Sequence, residues 1–155
     1  MNPISAALFA LALSIALPAA AQTASDMEIL AQKIKADKKL VVAANMDLTE
    51  AEAKVFWPVY DAYQVDLQAI NQRIADVVKS YAEAYDKRPV SDATAKKLIR
   101  EAIAIEDAET KLKSTYVSKL EKIIPGVKVA RYIQIESKIR AVVKYELATL
   151  IPLAS

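Results

Sequence analysis

The chain contains one glycine, Gly126, in 155 residues, where average usage of about 7% would place roughly ten. Gly-rich phosphate cradles, tight two-residue hairpins and dinucleotide-binding turns therefore have no sequence to build them. A chain so short of glycine is most readily made compact by helices joined at Pro, Asn, Asp and Ser corners. Histidine and cysteine are absent. The commonest metal ligand and general base are thereby missing, as are disulfides, thiolate zinc sites, Cys nucleophiles and a lipidated N-terminal Cys. With 21 basic and 19 acidic residues the formal charge is +2, so no strong general attraction to a polyanion is implied.

Residues Ala6 to Leu17 form an apolar run of 12, too short for a bilayer core of roughly 30 Å. Pro18 and Ala19-Ala20-Ala21 follow, a small-residue cleavage pattern. No charged side chain precedes Gln22, and all 21 basic and 19 acidic residues come after it. Residues 1–21 are thus expected to be a signal peptide cleaved after Ala21. Residues 22–155 are expected to form a single all-helical domain, exported to the periplasm and without an integral membrane segment.

Helix punctuation is plain in that remainder. Ser25-x-x-Glu28 and Thr49-x-x-Glu52 both fit a capping box, in which the hydroxyl accepts a backbone N–H and the Glu reaches back to the cap. A first helix is expected over about 26–44, with Met27, Leu30, Ile34, Val41 and Ala44 near one side, and Asn45 to Leu48 breaking it. A second runs to about Tyr85. Its Tyr60, Tyr63, Leu67, Ile70, Ile74, Val77, Tyr81 and Ala84 step by three and four, a coiled-coil-like seam. Pro89 ends it. Ser91 caps a third helix reaching about Ile124, with Leu98, Ala102, Ile105, Leu112, Tyr116, Leu120 and Ile123 as its seam, interrupted by Glu109. Pro125-Gly126 makes the next corner. A fourth helix over about 127–148 carries Val129, Tyr132, Ile133, Ile139, Val142, Val143 and Leu147. The expected fold class is all-α: an elongated four-helix antiparallel hairpin or bundle whose long members are helices two and three. Pro58 lies inside helix two, at a cost of roughly 3 kcal/mol in a straight helix, so a kink near Phe56–Pro58 is expected.

Two features are candidates for function. Phe56, Trp57, Tyr60 and Tyr63 fall within eight residues, either as a binding anchor or as a core plug packed on helix four. Charge is also uneven: residues 111–144 hold nine Lys/Arg against two Glu, while residues 45–109 hold 13 acids and eight bases. Lys119, Lys122, Lys128 and Arg131 belong to the basic stretch. They either receive acidic partners or pair internally with acidic helix two. Nucleic acid binding lacks an aromatic-interleaved basic strand. Asp61, Asp66, Glu106, Asp107 and Glu109 read as a solvated helix face. No Ser or Thr has a His beside it, so no catalytic constellation, and no cofactor or metal site, is expected.

Leu48-Thr49-Glu50-Ala51-Glu52, opening a long helix, resembles the LTxxQ pattern of the Spy/CpxP family of periplasmic stress proteins. Glu52 stands where that pattern has Gln. A second, degenerate copy is similar around Ile124-Pro125-Gly126-Val127-Lys128, without the Thr or the Gln. The resemblance implies a homodimeric thin cradle with a basic concave face that holds unfolded clients without ATP. It implies a holdase for unfolded envelope proteins or, alternatively, a regulatory adaptor for one folded partner such as a sensor-kinase periplasmic domain. The zinc-binding relatives use His and Cys, which this chain lacks.

Overall fold

A computed structural model describes residues 37–154. By its internal contacts the chain divides into Met1–Lys39 and Leu40–Ser155, and the second unit is described below. The expected leader, its cleavage point and the Ser25–Glu28 cap lie outside the described residues. Residues 37–46 are helical (α1). Three longer helices follow: α2 (Glu50–Asp86), α3 (Asp92–Leu120) and α4 (Gly126–Leu150). No strand occurs among the described residues, so the fold is all-α, with α2 and α3 the longest helices.

The corners are built as their residues dictate. Asp47 has φ 48°, a left-handed conformation that stops α1 and that Asp tolerates better than most residues. Thr49 is the N-cap of α2: its hydroxyl accepts from the Glu52 N–H at 3.3 Å, and its own N–H donates to Glu52 Oε2 at 2.8 Å. The capping box is therefore complete. Pro58 is exposed, and α2 continues through it on both sides. Ser91 caps α3 by accepting from the Thr94 N–H at 3.2 Å. The third helix stops at Leu120, short of the expected Ile124, because the Leu120 carbonyl takes both the Ile123 and Ile124 N–H groups at 2.9 and 3.0 Å and closes a turn. Pro125 then opens α4 without a side-chain cap.

Pairing order gives the topology. Arg73 bonds Glu101 and Asp66 bonds Tyr116, so α2 and α3 run antiparallel. Along α2 and α4 partners advance together: Glu52 with Lys128, Gln64 with Glu136, Asn71 with Arg140, Tyr81 with the Pro152 carbonyl. These two helices are parallel. No Cα atom of α2 approaches one of α4 within 8 Å, so long side chains bridge the space between them.

The buried apolar set is Val42, Met46, Phe56, Tyr60, Tyr63, Leu67, Ile70, Ile105, Tyr116, Leu120, Ile124, Val129 and Tyr132. The expected seams of α2 and α3 supply most of it, fading to half-burial from Ile74 to Ala84. Two expectations are corrected. In α1 the core residues are Val42 and Met46, one turn apart, while Val41 and Ala44 face outward. In α4, Val142 is exposed, because Val129, Tyr132 and Glu136 set the inward stripe and Val142 falls on the other side.

Candidate functional site

The segment Leu48–Glu52 and the opening of α4 meet at one end of the unit. Lys128 Nζ donates to Glu52 Oε2 at 2.5 Å and to the Asp47 carbonyl at 2.7 Å. Leu48 is half-buried above them. Glu52 thus serves three groups: the Thr49 N–H, the Thr49 hydroxyl and Lys128. The Lys128 bond first, then the Thr49 N–H, hold its carboxyl below the usual carboxylate range. Lys128 was a candidate for receiving partners. The structure assigns it to the cap of α2 instead, with its side chain largely covered.

Above this lies an aromatic layer. Phe56 meets Tyr132 edge to face at 5.2 Å between centroids, and Tyr63 meets Tyr116 in the same way at 5.2 Å. Trp57 stands edge to face against both Phe56 and Tyr60. Such pairs each add roughly 0.5–1.5 kcal/mol beyond burial. Of the four candidate anchors, Phe56, Tyr60 and Tyr63 are core residues, because their i, i+4, i+7 face is the one turned to α4. Trp57, on the flank, is half-buried.

Next to the rings lie two buried carboxylates. Glu109, 6% exposed, accepts from Arg140 Nε at 3.1 Å and from Nη2 at 2.8 Å. Arg140 in turn donates to Asn71 Oδ1 at 2.7 Å. Lys144 Nζ stands 3.9 Å from Glu109 and 3.7 Å from Glu106. Burial acts to raise the Glu109 carboxyl, but Arg140, with Lys144 and Lys113 behind it, outweighs burial and holds it below the usual range. Glu136, 4% exposed, accepts from Gln64 Nε2 at 3.0 Å, and Gln64 also reaches the Tyr132 hydroxyl at 3.3 Å. Burial first, then the neighbouring carboxylates, pushes the phenols of Tyr60, Tyr63 and Tyr132 above the ordinary tyrosine value. Tyr116, which donates to Asp66 at 2.5 Å, is pushed up to about 12 by burial and by that bond. These phenols stay protonated, and Tyr116 and Tyr132 donate to Asp66 and Glu136.

Glu109 was expected as a break in the seam, and Asp66 and Glu109 as part of a solvated face. Glu109 is instead the buried partner of α4, whereas Asp66 is exposed as expected and also accepts from Tyr116 across the hairpin. Glu136, Gln64, Asn71 and Arg140 were missed. The signal was present: Glu136 lies four residues after Tyr132 on the apolar stripe of α4, and Arg140 four residues after that. A polar residue on an apolar stripe asks for a partner. Every buried side-chain polar atom among the described residues has one.

The remaining cations face outward. Lys119 lies over the Tyr116 ring, 4.0 Å from its centroid. Lys122 and Arg131 are exposed. On the outer side of α4 stand the exposed Val127, Arg131, Lys138, Val142 and Tyr145, spaced to share one side, while Ile135 is half-buried against the core. Val127 is 73% exposed, Val142 59% and Tyr145 69%. Arg131 and Lys138 line a shallow groove with Asn45, Asp47 and Gln134. Among the described residues no group of three or more His, Cys, Asp or Glu is placed to hold a metal ion, and no helix is long and apolar enough to cross a membrane.

No family model matches this chain, and no curated protein or solved structure matches it either.

Proposed function

We propose that this chain is a periplasmic, ATP-independent, holdase-like protein that binds unfolded clients during envelope stress. The reading is carried by the outer side of α4, where exposed aliphatic and aromatic residues alternate with the cations Arg131 and Lys138. Exposed charge draws a client in over a Debye length of about 8 Å at physiological ionic strength. Scattered apolar side chains then hold it weakly, without a shaped pocket. The apolar export-like leader and the resemblance of the capping segments to the LTxxQ pattern support the same reading.

The test is dilution of a chemically denatured, unrelated client into buffer with increasing amounts of the chain, without ATP, followed by light scattering. Aggregation is expected to be suppressed near stoichiometric ratios. Replacing both cations, Arg131→Ser with Lys138→Ser, is expected to slow capture without lowering the melting temperature, since neither makes a structural bond. No suppression at several-fold excess overturns the reading. A pull-down from envelope extract that returned a single saturable partner would favour a regulatory adaptor in its place.

A further inference from the structure

The attachment of α4 to the α2–α3 hairpin is chemically unlike the attachment of α2 to α3. The hairpin is held by an apolar seam that includes Leu67, Ile70, Ile105 and Leu112. Its polar link runs from the Tyr116 phenol to the exposed Asp66 and involves no cation. Its ion pair, Arg73 with Glu101, is about 40% exposed on both sides and contributes little. The fourth helix is tied down by carboxylates at successive heights. Glu52 holds Lys128 and Glu109 holds Arg140, while Glu136 and Gln64 join α4 to α2 through a neutral amide donor. Beneath it lie Phe56, Tyr60 and Tyr63, which Tyr132 caps.

We propose that α4 is an acid-released cover: protonation of Glu52 and Glu109 frees it from the hairpin and opens the aromatic floor beneath Tyr132 to apolar segments of a client. The surroundings of each group support this direction. Glu52 faces Lys128 from α4 and the Thr49 hydroxyl and N–H from its own cap. Glu109 faces Arg140 and Lys144 from α4, Lys113 on its own helix and Tyr63 from α2. The side chains of Lys128 and Arg140 are only 20% and 14% exposed. Once their partners are protonated, both become covered cations without a counter-charge, a state relieved by moving them into water. The folded-state carboxyls of Glu52 and Glu109 are depressed. Their contribution is therefore present above the unfolded carboxylate value of about 4.3 and is lost as pH falls through the lower folded value.

The inference deepens the holdase reading and rests on it only for the client. Release itself is measured without one. Since the chain has no cysteine, exposed positions can be spin-labelled in pairs: Gln68→Cys with Ser137→Cys between α2 and α4, and Gln68→Cys with Ser114→Cys between α2 and α3. As pH is lowered stepwise from neutral to roughly pH 2, well below the unperturbed carboxylate value of about 4.3, the first distance distribution is expected to lengthen and broaden and the second to stay narrow. Binding of an apolar dye is expected to rise over the same interval. Neither distance changing, both broadening together, or release without dye binding would each overturn the proposal. In the Glu109→Leu, Arg140→Met background the release is expected at lower pH, and an unchanged midpoint would remove Glu109 as a trigger. Failure of client capture at neutral pH refutes the holdase reading alone and leaves these distances unaffected.

Discussion

Replacing Arg140 with Met tests the energetics of the buried pair directly. In the folded chain Arg140 gives Glu109 a two-pronged bond at 3.1 and 2.8 Å, with the two side chains 14% and 8% exposed. The variant strands a carboxylate in a covered site, with Lys144 at 3.9 Å its nearest remaining cation. Breaking a buried pair from one side costs about 3–5 kcal/mol, whereas replacing both members with apolar groups of similar volume is often neutral. Against a total stability of roughly 5–15 kcal/mol for a domain, the single change is severe. The sign of the pH dependence also reverses. In the parent chain the depressed Glu109 carboxyl adds stability above the unfolded carboxylate value and loses it as pH falls through the folded value. In the variant, burial is left to raise that carboxyl, so stability is greatest below the unfolded value and falls as pH rises. The assay is urea unfolding by circular dichroism at several pH values, for Arg140→Met, Glu109→Leu and the double replacement. Each single variant is expected to be less stable than the double variant by about 3–5 kcal/mol, with the double variant close to the parent. If Arg140→Met costs less than about 1 kcal/mol, as for an exposed pair, the buried-pair reasoning is refuted. Should Arg140→Met not fold, Glu109→Gln against the double variant still closes the comparison.

Two further perturbations probe the cap and the phenols. Thr49→Ala removes an N-cap hydroxyl that accepts from Glu52 and is expected to cost about 1 kcal/mol, whereas Thr49→Ser should fall within a few tenths; a thermal melt showing no difference between the two would contradict the capping box. Tyr60, Tyr63 and Tyr132, raised by burial, contribute stability present below the unfolded phenol value of about 10 and lost as pH climbs above it. An ultraviolet alkaline titration should show their ionisation only as helicity collapses, and ionisation near pH 10 in a fully helical chain would refute their enclosure.

The long elements were legible because their signals are local. A seam stepping by three and four, Ser and Thr caps, and Pro corners all act within one helix. What escaped was set between helices. In α1 the drift of the apolar pattern put Val41 and Ala44 on the nominal stripe, but the side chains that meet the core are Val42 and Met46. A few residues do not fix a helix's rotation until its neighbour is known. Glu109 looked like a fault in the α3 seam because its partner, Arg140, is 31 residues away on another helix. The aromatic group of α2 was read both as anchor and as plug. Only the height of Tyr132 on α4 decided for the plug, with Trp57 left on the flank.

The basic half of the chain was likewise read two ways, as internal pairing or as an open surface, and the structure gives each its own side of α4. Lys128 and Arg140 turn inward to Glu52 and Glu109. Arg131 and Lys138 turn outward and make no ion pair among the described residues. This division separates stability from capture in a way that salt can resolve. Mobile ions screen exposed charges beyond a Debye length of about 8 Å at physiological ionic strength, falling to about 3 Å at 1 M, but screen covered pairs far less. Lys128–Glu52 and Arg140–Glu109 are mostly covered, while the outward cations stand in solvent. Raising the salt should therefore slow capture of a denatured client while leaving the melting temperature nearly unmoved. A fall in both together would mean that the inward pairs are as open to solvent as the outward cations, and the division of labour along α4 would not hold.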